Sequence, residues 1–110
     1  EKSIDDVLEM SEGSVETVIG VGFDSMASTL VGINKYGAPL TPIYTYADTR
    51  SNTQVDQIKE DFDEKILHQE TGAAQHTSYV PSKIMWMKKN INNFQEIDKF
   101  IDISKHCFLL

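Results

Sequence analysis

The sequence has 110 residues, with 10 Lys and Arg against 17 Asp and Glu and a formal net charge of −7 with histidine neutral. That balance excludes a nucleic-acid partner, because affinity for a polyanion comes largely from Lys and Arg neutralising phosphates. Leu, Ile, Val and Phe make up roughly a quarter of the chain, enough for one globular domain, and a single cysteine, Cys107, excludes an internal disulfide framework and fits a reducing compartment.

With no apolar run near ~18 residues and no signal-peptide pattern, the expectation is a soluble, cytoplasmic protein without membrane contact. Residues 2–11, KSIDDVLEMS, place Ile4, Val7 and Leu8 at the spacing of an amphipathic helix, and the EGS that follows breaks it. TVIGVGF at 17–23 is short, β-branched and apolar almost throughout, which predicts a strand covered on both faces. STLVGI at 28–33 is a second strand, and Asn34 and Gly37 in NKYG mark a type I turn after it. PLTPIYTY at 39–46 is a third; Pro39 and Pro42 lack the ladder N–H and belong before the strand or on an edge. The short connections favour an antiparallel meander.

The second half changes period. From Thr49 to about Gln69, Val55, Ile58, Phe62 and Ile66 fall on one face, predicting one long helix that Gly72 ends. PSKIMWMKKN at 81–90 predicts another, with Pro81 in its first turn and Lys88 and Lys89 complementing the negative end of its dipole. NFQEIDKFI at 93–101 predicts a further helix, with Asn93 as N-cap, Glu96 three residues on, and Phe94, Ile97 and Ile101 as its buried stripe. SKHCFLL starts a last one. The fold class is therefore α/β, three N-terminal strands followed by helices. A start at Glu1 and an apolar HCFLL end suggest a piece of something longer.

Ligand sites in open α/β sheets gather at one end of the strands, which directs attention to the polar groups there. They are Asp24 and Ser25 in GFDSM, then Tyr46, Asp48 and Arg50 in YTYADTR, and the QHTSY loop at 75–79. Brought together, they form a small polar pocket in which Asp accepts from hydroxyls, Arg donates in a fork and Tyr stacks on a ring. Each also has a plainer role: Asp24 as a turn residue, Asp48 as a helix N-cap or first-turn acid, Arg50 as the partner of Asp48 or of a helix-face acid. His68, His76 and Cys107 lie far apart without zinc-like spacing, so no metal site is expected. Met85, Trp86 and Met87 read as core and its margin. GVGF is too short for a dinucleotide fingerprint, and neither GxxxxGK[ST] nor GxSxG occurs.

Taken in order, VIGVGFDSMASTLVGINKYGAPLTPIYTYADTR, then TG, then SYVPSKIMWM, the chain resembles the first domain of the FGGY carbohydrate kinases, the gluconokinase and xylulokinase group, over nearly its whole length. The resemblance implies an actin-like, ribonuclease-H-like fold with two domains around a cleft. It also implies ATP-dependent phosphorylation of a hydroxyl of a sugar, sugar acid or polyol, a reaction that needs a base and Mg²⁺. In that family the phosphate loop lies upstream of the strand that TVIGVGF matches, and the catalytic aspartate and adenine site lie downstream of the last matched segment. Residues 1–110 are then part of the N-terminal, sugar-binding domain. Alone they are expected to be inactive, with no catalytic residue and neither ATP nor Mg²⁺ bound.

Carried over one at a time, Asp24 takes the place of a Gln or Arg in a substrate-touching loop, with Ser25 and Met26 after it. Tyr46 stands where many members have Trp, Asp48 and Arg50 keep the Asp-x-Arg pattern, and Ser78 stands where glycerol kinases have a substrate-contacting Tyr. The resemblance thus implies Asp24, Ser25, Tyr46, Asp48, Arg50 and Ser78 as substrate-binding residues, with Lys83 and Trp86 structural. The partner is a small-molecule sugar or polyol, and a homo-oligomer is compatible with it. The rival reading is a non-catalytic carbohydrate-binding or interaction module of the same fold.

Overall fold

A central strand organises the chain. In the computed structural model, which describes residues 2–11, 19–20, 22 and 24–108, β1 (Val31–Ile33) is buried along its whole length. One edge pairs antiparallel with β2 (Lys99–Ile101), in the register Val31 to Ile101 and Ile33 to Lys99. The other faces residues 39–44 through isolated antiparallel bridges, Ile33 to Pro39 and Leu30 to Tyr44. The meander expected between the second and third strands is therefore present in direction, but 39–46 is not a continuous strand. Two prolines remove ladder donors there, and the side chain of Thr41 enters the ladder instead, its Oγ1 accepting from Gly32 N at 2.9 Å. The turn between them forms as the sequence indicates: Gly37 N donates to Asn34 O at 3.0 Å, with Gly37 at φ 81°. The strand expected over 17–23 lies largely outside the described residues.

Helices cover this ladder. α1 (Lys2–Met10) forms where its period places it, yet none of its residues is buried. The long helix expected from Thr49 is two, α2 (Asn52–Asp61) and α3 (Glu64–Thr71). Phe62 turns extended, and Asp63 caps the second piece by accepting from Ile66 N at 3.0 Å. An aspartate that offers its oxygen to the backbone two or three residues on competes with helix continuation. Accordingly only the first half of the supposed stripe is core: Val55 and Ile58 are buried while Phe62 and Ile66 are exposed. Gly72 ends α3 in the left-handed conformation that favours glycine, φ 71°, as expected.

α4 (Val80–Asn90), with Pro81 in its first turn, packs on α2. Its Met87 is wholly buried and joins Leu30 and Tyr44 in the core, against which Ile84, Trp86, Ile91, Phe94 and Phe100 pack.

The helix expected over 93–101 is not formed. Phe94–Glu96 is one turn of 3₁₀ helix, and β2 follows. Asn93 makes no side-chain cap; its amide donates to Leu40 O at 3.5 Å. Pairing with β1 supplies backbone bonds that a helix would have supplied locally, and the apolar residues are retained in other roles. Phe94 and Phe100 lie 5.9 Å apart, and Ile97 closes over Gly32. α5 (Ile103–Phe108) follows, Ile103 N donating to Thr29 Oγ1 at 3.0 Å. Among the described residues no helix is long and apolar enough to cross a membrane.

Candidate functional site

The polypeptide leaves the core at Tyr44 and enters α2 at Ser51, and the intervening residues build the site. A turn closes with Asp48 N donating to Thr45 O at 3.2 Å. Asp48 Oδ1 then accepts from Arg50 N at 3.0 Å, the short-range side-chain turn that aspartate favours. Asp48 is therefore not the cap of α2; that position falls to Ser51, whose side chain makes no capping bond. Instead Arg50 folds back on Asp48, its Nε donating to both carboxylate oxygens at 3.1 and 3.0 Å and its Nη2 to Oδ2. The hydrogen bonds from Arg50 draw the Asp48 pKa below its ordinary value against a smaller opposing effect of burial, and raise that of Arg50 in return.

Two aromatic rings flank the guanidinium. Its centre lies 4.8 Å from the Tyr44 ring centroid and 4.7 Å from that of Trp86, and these rings meet edge to face at 6.0 Å. Such stacking contributes about 0.5–1 kcal/mol at exposed sites and more when desolvated. Tyr44, Asp48, Arg50, Ser51, Lys83 and Trp86 close on one another and leave no enclosed space for a water between them. The cluster is a wall, and Tyr46, in the turn before Asp48, is 58% exposed.

A second loop is fastened to the first. Ser78 Oγ donates to Tyr46 O at 2.9 Å, and Ser78 N donates to His76 Nδ1 at 3.1 Å. Lys83, rising from α4 and only 3% exposed, donates from Nζ to Thr45 O at 2.7 Å, to Ser78 O at 3.1 Å and to Ser28 O at 3.3 Å. Burial pushes its pKa down, with partial relief from the charge of Asp48. Tyr46, Asp48, Arg50 and Ser78 are thus brought together. Asp24 and Ser25 are exposed on the segment that leads to Ser28, and reach the group only through the carbonyl that Lys83 holds.

Sequence reasoning treated Lys83 and Trp86 as structural and missed what they hold. The legible signal was a lysine four residues before Met87, on the stripe of α4 that the core covers.

Residues 1–109 match the family model described as the FGGY family of carbohydrate kinases, N-terminal domain. The chain belongs to this family. It is 29% identical over 89 residues to a gluconokinase of Bacillus subtilis (strain 168), a match that takes in 80% of this chain and 17% of that protein. To a xylulose kinase of Staphylococcus xylosus it is 30% identical over 83 residues, 74% of this chain and 17% of the relative. The FGGY chain thus spans about a sixth of the length of the curated relatives it matches. The crystal structure of gluconate kinase from Lactobacillus acidophilus superposes with a TM-score of 0.77 at 20% identity, covering 98% of this chain and 23% of that one. At that identity the likeness carries the fold: a partial α/β domain of the actin-like sugar kinase kind.

Proposed function

We propose that this chain is one wall of the sugar site in the N-terminal domain of an FGGY kinase. On this reading the whole protein is a cytoplasmic enzyme that transfers the ATP γ-phosphate to a hydroxyl of a sugar, sugar acid or polyol. The family match over residues 1–109 carries the reading. The geometry supports it: Tyr46 offers an exposed ring face to the C–H side of a sugar, and Asp24, Ser25 and Ser78 offer donors and acceptors to hydroxyls. Asp48 and Arg50 act as a pair. The Asp48 oxygens are occupied by Arg50, so substrate meets the outer, half-exposed side of the guanidinium while Asp48 holds it in place.

ATP and Mg²⁺ supply the phosphoryl group and neutralise its charge when bound. Mg²⁺ is commonly held by one or two carboxylates together with the substrate phosphates, and the carboxylate built into this wall, Asp48, is taken up by Arg50, so no Mg²⁺ ligand is assigned among the residues of the wall. The steps assigned to this chain are binding and orientation alone. Proton removal from the attacking hydroxyl falls to residues beyond it, and the chain in isolation is inactive.

The test is phosphorylation by the full-length protein with MgATP over a panel of sugars, sugar acids and polyols, repeated with Asp48→Ala. Expected is turnover of at least one compound, a sugar KM raised about three- to fivefold in the variant, as release of a half-exposed Asp–Arg pair costs about 0.5–1 kcal/mol, and an ATP KM within about 1.5-fold of wild type. No turnover with any compound, or an equal rise in both constants, overturns the reading.

A further inference from the structure

Three backbone carbonyls converge on one ammonium. Thr45 O, Ser78 O and Ser28 O each accept from Lys83 Nζ, and each comes from a different loop. Ser28 closes the segment that carries Asp24 and Ser25; Thr45 immediately precedes Tyr46; Ser78 is itself a candidate contact. An ammonium has three N–H donors and no acceptor, so the three bonds use its whole capacity. Among the described residues Lys83 makes no ion pair within bonding distance. A side chain needed only to fill this space would be apolar, since taking an ammonium out of water costs several kcal/mol. The carbonyls therefore account for the lysine.

Two further observations concern the same three strands of chain. Ser28 has φ 55°, the left-handed region that a non-glycine residue seldom enters, and its carbonyl is one of those held. Ser78 Oγ donates to Tyr46 O, a second tie between two of the loops that Lys83 joins.

We propose that Lys83 is a positioning residue for the sugar site, a three-way clip that sets the loops bearing Asp24 and Ser25, Tyr46 to Arg50, and Ser78 in one register without touching substrate. Its effect on sugar affinity rests on the function proposed above; its ordering of the loops does not.

The test uses Lys83→Met in the full-length protein, read by amide hydrogen exchange and by kinetics. Exchange is expected to quicken tenfold or more at residues 27–30, 44–50 and 76–79, while α2 and the second half of α4 keep their protection. The sugar KM rises at least tenfold, the ATP KM stays within twofold, and kcat changes less than the sugar KM. Lys83→Arg does not rescue, because a planar fork cannot present donors in three divergent directions. Unchanged exchange in the three loops overturns the proposal, as does an equal increase throughout α2 and α4. Loosened loops with an unmoved sugar KM overturn it too. If wild type phosphorylates no sugar, the function reading fails while exchange still judges the clip. Should Lys83→Met not fold, Lys83→Gln takes its place with the same readouts; failure of both to fold makes Lys83 a core residue and overturns the proposal.

Discussion

Asp48 and Arg50 show how far a seven-residue segment can be read. The sequence offered Arg50 as the partner of Asp48 or of a helix-face acid, and the structure forms the first of these pairs; the competing role of Asp48 as a helix cap fails because α2 begins only at Asn52. What the segment could not show is the support from a distance. Trp86 and Lys83 come from another helix, and a two-residue pattern holds no record of partners more than thirty positions away. The pair has a pH consequence whose sign is fixed. The folded Asp48 pKa is depressed, so its contribution is fully present above the ordinary carboxylate value of about 4 and is lost as pH falls through the lowered folded value. Because the Arg50 side chain is half exposed, the contribution is about 0.5–1 kcal/mol. Urea midpoints of wild type and Asp48→Asn should differ most near about pH 7 and converge toward about pH 3. A gap of constant size over that range would show that Asp48 acts through something other than its charge.

At the scale of elements, period alone served where a helix stabilises itself and failed where a distant partner intervened. α1, α4 and the NKYG turn lie where local pattern puts them. The residues from Phe94 to Ile101 carry an equally good helical stripe, yet they form a 3₁₀ turn and then a strand, Lys99–Ile101, that pairs with β1 some seventy residues earlier. Short apolar runs are ambiguous between strand and helix, and tertiary pairing decides between them. Gly32 is the contact on which that pairing depends. A Cβ there would sit 2.8 Å from Ile97 Cδ1 and 3.2 Å from both Cγ1 and Cγ2, so the whole side chain must move rather than its tip. Gly32→Ala should cost about 1–3 kcal/mol, the usual penalty for overpacking, seen as a lower urea midpoint at unchanged m-value. Gly32→Ala combined with Ile97→Val should recover part of it. A single variant as stable as wild type would mean that Ile97 does not close on Gly32.

For the whole molecule, the fold was legible from the order of weak motifs, and the substrate was not, because hydroxyl selectivity depends on which donors and acceptors are finally paired. The described chain measures 62 × 33 × 21 Å with a radius of gyration of 18.9 Å, against about 13 Å for a compact domain of this size. Charge leads to the division of labour proposed above. ATP brings a polyphosphate to a chain of net charge −7, and the two cations nearest the candidate site are already engaged, Arg50 by Asp48 and Lys83 by three carbonyls. Asp48 offsets the charge of Arg50 and the carbonyls take every donor of Lys83, so the described wall offers little net positive charge to a polyphosphate. Isothermal titration of the 110 residues with MgATP should therefore show no binding tighter than about 1 mM, equivalent to about 4 kcal/mol, in a sample whose circular dichroism reports folded helix. One-to-one binding in the micromolar range by such a sample would mean that this chain holds a nucleotide site of its own.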